Sequence, residues 1–366
     1  MSIPSTMAAV VLIGHGGTEM LDYRTDVDVP EPAPGELLIE VRAAGINNTD
    51  INTRIGWYSK SVQSATSDGA DAGIDALDTS DAGWSGTPLS FPRIQGADVC
   101  GIVVASGDQA DSHRLGERVL VRPMMSDPTS ARRWAFRTLG SEMDGAFAQF
   151  VVAPSNESLV VRSTWSDVEL ASIPCASSTA ENMLQRAGVG AERVLITGAS
   201  GGVGSAAVQL ARRRGAEITA VCSAAKASDV LALGADAAID RSEDLTTQIL
   251  PKSLDVVIDL VGGPAWPSLL ELLRPGGRYV TSGAIAGPLV ELDLRTLYLG
   301  DLTLLGCTHQ SRDVFADLIG YIERDEIRPV VAATYPLADI ARAQADFITK
   351  QHVGKLVLIP PPLRPV

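Results

Sequence analysis

Two stretches carry residue types and spacings suited to chemistry. The first is "RVLITGASGGVGSAAVQLARRRGAEITAVCS", in which a glycine-rich turn, Gly198 to Gly204, follows an apolar run and precedes residues of helical period. A turn of this kind between a strand and a helix presents backbone N–H groups to an anion, and the following apolar strand completes a dinucleotide-binding unit. Ser200, Gly201, Gly202 and Val203 are the candidate phosphate contacts, with Ala199 standing where the commonest form of the motif has its first Gly. Gly201 lets the backbone approach a pyrophosphate and Gly204 lets the helix pack on the strand. The second stretch is "AAGINNTDINTRIGWYSK", Ala43 to Lys60, where Asn47, Asp50 and Tyr58 offer amide, carboxylate and phenol groups on one polar turn.

Cofactor choice is read at the end of the second strand of the nucleotide unit, where a carboxylate would bind a ribose 2′-OH. That position holds Cys222, followed by Ser223 and Lys226. Without a carboxylate, and with a hydroxyl and an ammonium nearby, a 2′-phosphate is favoured, so NADP(H) is the expected cofactor. Arg241, just after "AAID", is a further candidate phosphate or adenine contact, or an ordinary exposed loop arginine. The run Arg212–Arg214 falls at a helix C-terminus, where the dipole favours cations.

The elements that must hold these groups follow from pattern. The first ~150 residues are β-rich, with "MAAVVLI", "GELLIEVRAAG", "CGIVVASG" and "GERVLVRP" separated by turn signals such as "PEPAPG". From Val168 strands and helices alternate, beginning with a helical stretch "DVELASIPCASSTAENMLQRAGV", which implies a doubly wound parallel sheet. After "DVFADLIGYIERDEI" the β texture returns and closes on "GKLVLIP". We therefore expect residues 1–160 and 330–366 to form one discontinuous domain and residues 161–329 a nucleotide-binding domain set into it. Residues 61–90, rich in Ser, Gly, Ala and Asp with no basic residue, read as an insertion, either a solvated surface loop or a lid.

Composition limits the function classes. At 366 residues the chain has room for two cores, and a net charge of −14 argues against a nucleic-acid binder. Cys100, Cys175, Cys222 and Cys307 are widely spaced, which suggests neither a disulfide framework nor a closed zinc site. No apolar run approaches the roughly 18 residues of a membrane span and no leader is evident, so a cytoplasmic protein without membrane contact is expected.

The order of these pieces resembles the medium-chain dehydrogenase/reductase superfamily of alcohol dehydrogenases and quinone oxidoreductases. The matching segments include "PAPGELLIEVRAAGINNTD", "IQGADVCGIVVASG", "GAFAQFVVAP", "GASGGVGSAAVQLARRRGA", "LRPGGRYVTSG" and "YPLADIARAQADFITKQHVGKLVLIP". The resemblance implies an α/β protein with a GroES-like β-barrel, a Rossmann domain and catalysis in the cleft between them. In zinc-dependent members "GINNTD" would read Gly-Ile-Cys-His-Thr-Asp and "GAD" Gly-His-Glu. Here Asn47 and Ala97 stand at two zinc-ligand positions and Cys175 at the third, and the cysteine-rich lobe of a structural zinc is missing, so no metal is expected.

The segment "RIGWY" is similar to that of zinc-free quinone and enone reductases, which implies hydride delivery to a conjugated carbonyl or quinone, with Asn47 and Tyr58 as donors to the developing oxyanion. Asp50 could orient a neighbour or simply start the helix after it. By the same resemblance, Cys175, with Thr179 nearby, sits near the nicotinamide and "DLTLLGCT" pairs two chains into a homodimer; Gly262, Ser282 and Gly283 lie at the carboxyl ends of later strands, where the sheet meets the cofactor. An alcohol or aldehyde reductase, and an NADPH-binding protein with little turnover, are the competing readings.

Overall fold

The computed structural model describes residues 3–127, 129–131 and 134–363. Antiparallel strands form the first domain around Glu36–Gly45, which pairs with Cys100–Ser106, Phe150–Pro154 and the C-terminal strand Lys355–Ile359. This seven-stranded sheet continues to Val331–Pro336 on one side and to Arg118–Val121 and Ser158–Val160 on the other. Because Glu36–Gly45 has neighbours on both edges, most of it is buried, which is why it reads as an apolar run. Thr6–Leu12 lies in a separate small sheet, paired with Leu21–Asp28. That second strand is mostly exposed, and its polar sequence "LDYRTDVD" carries no apolar signal.

The second domain is a six-stranded parallel sheet. Its spatial order is Ala237–Asp240, Glu217–Cys222, Arg193–Ile196, Leu254–Asp259, Leu273–Thr281, Thr303–Gly306. Numbered along the chain this is 3-2-1-4-5-6, the doubly wound order whose crevice opens where the direction of winding reverses, between Arg193–Ile196 and Leu254–Asp259. Asp259, fully buried, organises that edge. It accepts hydrogen bonds from Thr197 Oγ1 and Tyr279 OH, each at 2.5 Å, and from the Gly262 amide.

The glycine turn closes against the first strand of this sheet. Its helix, Gly202–Arg213, starts immediately after the turn, and a Cβ on Gly204 would sit 2.2 Å from the Gly198 carbonyl oxygen and 2.6 Å from Ala199 Cα. The helical stretch after Val168 is divided, contrary to the single helix its period suggests. Asp167–Ala171 ends, and Pro174–Ala187 begins with the proline, whose missing N–H is tolerated only in a first helical turn. The two domains share packing, since Ala43, Cys100 and Leu120 of the barrel join the core of the nucleotide sheet. No helix among the described residues is long and apolar enough to cross a membrane.

Candidate active site

The polar turn that opens with Asn47 becomes a helix, Asn48–Ile55, and two local interactions fix it. The Asn47 amide N–H donates to Asp50 Oδ2 at 2.7 Å, a capping contact, and Gly56 ends the helix in the left-handed region at φ +74°. Asp50 is thus committed to the cap and lies beneath the site, not on it. Burial pushes its carboxyl up to about 7, and Asp98 adds to the rise, while the Asn47 N–H and Lys355 oppose it.

A buried ion pair lies next to this cap. Lys355 Nζ donates to Ile46 O at 2.7 Å, to Asp98 Oδ2 at 2.9 Å and to Asn47 Oδ1. The Asn47 Nδ2 donates to the same Asp98 oxygen at 2.8 Å, and the other Asp98 oxygen accepts from the Cys175 amide at 2.5 Å. The chain approaches closely enough for this only because residue 45 is glycine: a Cβ there would lie 2.4 Å from Asp98 Oδ2 and 3.1 Å from Lys355 Cε. The Asn47 amide is therefore held at both its oxygen and its nitrogen. Cys175 is buried, and desolvation followed by the charge of Asp98 pushes its thiol well above the ordinary range, so it stays protonated. Among the described residues no group of three or more His, Cys, Asp and Glu could hold a metal ion.

Tyr58 reaches back over the helix and donates to Thr49 Oγ1 at 3.0 Å. Burial raises its phenol above the usual value, which keeps the proton on the oxygen. Trp84, from the 61–90 insertion, lies with its ring within 3° of parallel to that of Tyr58, and Trp57 meets Tyr58 edge-on.

These groups open onto a cavity of about 340 Å³ lined by Asn47, Thr49, Tyr58, Trp84, Cys175, Thr179, Val203, Ser282 and Gly283. It adjoins a second cavity of about 610 Å³ lined by Ser200, Gly201, Gly202, Ser223, Lys226, Arg241 and Gly262. Gly201, Gly202 and Lys350 border both. Every candidate cofactor residue named from the sequence thus borders one continuous cleft; of the three candidate catalytic residues, Asp50 does not. Lys226 Nζ donates to the Lys350 carbonyl, and neither lysine forms an ion pair among the described residues. Burial and the charge of Lys226 push Lys350 down to about 7, and burial with Lys350, Lys226 and Lys355 pushes His352 down to about 4.

Lys355, Thr49, Trp84 and Lys350 were not among the residues picked out by sequence. Lys355 had a signal: a lysine opening the apolar run "GKLVLIP" is an inward charge that must find a partner. Thr49 looks like any hydroxyl in a first helical turn, and Trp84 is brought to Tyr58 only by the tertiary fold.

Two family models match this arrangement. Residues 33–163 match the alcohol dehydrogenase GroES-like domain and residues 202–324 the zinc-binding dehydrogenase domain. A Sinorhizobium meliloti 1021 protein of known structure, provisionally called an alcohol dehydrogenase, is 44% identical over 98% of both chains, with a TM-score of 0.87. The acryloyl-coenzyme A reductase of Metallosphaera sedula is 28% identical, covering 96% of this chain and 99% of its own. The quinone oxidoreductase of Rattus norvegicus is 26% identical over 96% of this chain and 98% of its own. Fold, cleft and relatives define an oxidoreductase. The chain belongs to the medium-chain dehydrogenase/reductase superfamily, in its alcohol dehydrogenase-like group.

The Asp50 environment yields a test with a defined sign. A carboxyl whose folded value lies above its unfolded value of 3.8 binds more protons in the native state, so its contribution to stability declines as pH rises toward about 7. Asp50→Asn, which keeps an acceptor for the Asn47 N–H, should gain stability relative to the parent across that interval and hold the gain above it. Urea unfolding of both proteins over a pH series checks this, and a constant difference at all pH values would contradict it.

Proposed function

We propose that this chain is a zinc-independent, NADPH-dependent reductase of quinones or α,β-unsaturated carbonyl compounds. The observation that carries the proposal is the Lys355 ammonium, bonded to Asn47 and Asp98 among the positions where zinc-dependent relatives keep their metal. A catalytic zinc needs three protein ligands and an open position. Here the three positions offer an amide already bonded to a cation and a carboxylate, a methyl group and a protonated thiol. That donor set does not fit zinc. Two relatives, named a quinone oxidoreductase and an acryloyl-coenzyme A reductase, support the choice of substrate class.

The cleft suits NADPH. A Cβ on Gly201 would meet nothing nearer than the Gly198 carbonyl oxygen at 3.5 Å, which leaves an open cradle at the helix N-terminus for a pyrophosphate. Ser223, Lys226 and Arg241 would hold the 2′-phosphate, with Lys350 beside them. When bound, NADPH supplies the hydride. The protein's task is to stabilise the negative charge that then develops on the substrate oxygen. The donor role expected of Asn47 passes in our reading to Thr49, which accepts from Tyr58 and keeps its own hydroxyl proton for the substrate. Asn47 becomes a positioning residue that fixes Lys355. We also read the chain as a cytoplasmic homodimer. Its four cysteines are free and buried, and the edge strand Thr303–Gly306 is flanked by exposed Leu294, Tyr298 and Leu299.

An NADPH-oxidation screen over quinones, conjugated enones and saturated aldehydes, with product analysis, tests the reading. Reduction of the conjugated C=C bond or of the quinone is expected, and Thr49→Val should lower kcat about a hundredfold, the scale of losing one oxyanion donor. Turnover confined to saturated aldehydes would instead identify an alcohol dehydrogenase, and NADPH binding without turnover a binding protein. Cofactor preference has its own test. Lys226→Ala should weaken NADPH about tenfold or more, from the loss of one charge-assisted contact, with a much smaller effect on NADH. Fluorescence titration with both cofactors measures this, and equal losses would contradict the assignment.

A further inference from the structure

We propose that the insertion 61–90 is a fixed substrate-selecting wall, and that Trp84 makes the cleft prefer carbonyl substrates bearing a flat aromatic ring over aliphatic ones. The inference rests on the reductase reading above and adds to it the shape of the substrate.

The insertion is neither solvated throughout nor a loose lid. Thr66, Ala70 and Ala82 are buried within it. The catalytic domain holds it at several places: Trp57 Nε1 donates to Ser64 O at 3.0 Å, the buried Arg54 donates to Ala70 O at 2.8 Å, and the Lys60 amide donates to Asp81 Oδ2 at 3.0 Å. Arg54 also donates to Gly16 O and to Gln344, so one guanidinium joins the insertion to the N-terminal loop and the C-terminal helix. Near its end, the Trp84 amide donates to Ser141 Oγ at 3.3 Å and the Ser85 amide to Glu142 Oε1 at 3.0 Å. On the nucleotide side, the Thr66 amide donates to Ile285 O at 3.3 Å across the cleft.

Trp84 is the one aromatic residue in a stretch otherwise composed mainly of small and acidic side chains. Its backbone is anchored, and its partly buried ring faces the same cavity as Thr49 and Cys175. Its ring centroid lies 6.3 Å from that of Tyr58 with the planes 3° apart, while Trp57 crosses Tyr58 at 76° and 5.9 Å. Three aromatic rings therefore form one wall of the cavity, and the hydroxyl that would receive the substrate oxygen belongs to Thr49, whose Oγ1 accepts a hydrogen bond from the phenol of the middle ring, Tyr58. Any apolar group gains by leaving water here, but only a flat π-system also gains the face and edge contacts that aromatic pairs favour. The wall thus discriminates by the substituent on the conjugated carbonyl and leaves the reacting atoms to Thr49.

Benzylideneacetone and ethylideneacetone share the reacting enone and differ in carrying a phenyl or a methyl group, which isolates that substituent. The parent should favour benzylideneacetone in kcat/KM. Trp84→Ala should reduce the ratio of the two kcat/KM values about tenfold, mainly through KM for the aromatic ketone, as expected for losing an aromatic partner. Trp84→Phe should retain most of the preference, which separates ring contact from a general loss of fold. Titration of benzylideneacetone into the NADP⁺ complex gives a readout independent of turnover, and weaker binding to Trp84→Ala is expected there too. Should the ketones bind in this Trp84-dependent manner without being reduced, the selectivity stands and the reductase reading fails. Should both be reduced with the same ratio in parent and Trp84→Ala, the selectivity is overturned and the reductase reading stands.

Discussion

The site depends on one buried cation. Lys355 starts the last barrel strand and uses its three donor hydrogens on a backbone carbonyl, an amide oxygen and a carboxylate. An ammonium taken out of water is tolerated only with such complete satisfaction, and removing one partner of a buried pair costs about 3–5 kcal/mol. The pair constrains the surrounding chain: glycine at position 45, a carboxylate at Asp98 and the approach of the Cys175 amide all follow from it. The strand start is tied to the glycine turn as well, since the Gly354 amide donates to Ser200 O at 2.9 Å. Barrel, Rossmann turn and the turn at Asn47 are thus registered to one another through residues 354 and 355.

That registration accounts for the division of labour along the cleft. Its inner end is neutral overall, because the ion pair compensates itself, and its walls are apolar and aromatic, which suits a conjugated carbonyl. Its outer end carries Lys226 and Lys350 without carboxylate partners among the described residues; burial lowers Lys350 and the charge of Lys226 lowers it further, and that repulsion is what an anionic group would offset. Thr49 borders the inner cavity, on a helix whose start is pinned by Asn47 and Asp50.

Much of this was legible in the sequence. The glycine turn, the alternation of strands and helices, and the residues that come to border the cleft could be read because each rests on local backbone geometry or on the strict order of a doubly wound sheet. The partners of Asn47 could not. An asparagine in a turn reads the same whether its amide faces substrate or is held by a lysine some three hundred residues away, as Lys355 holds it. The break before Pro174 could not be placed by helical period, which runs on both sides of it. Trp84 was hidden because its contact with Tyr58 is tertiary, reached through a stretch with neither strand nor helix period. The exposed strand Leu21–Asp28 lacked the apolar signal that a buried strand provides.

The claim that an internal ammonium has replaced the metal is tested most directly by measuring zinc in the purified, active protein, before and after chelation, with NADPH oxidation followed on the same samples. The account predicts zinc far below one ion per chain and turnover that chelation leaves unchanged. One tightly held zinc per chain, whose removal abolishes turnover, would contradict it.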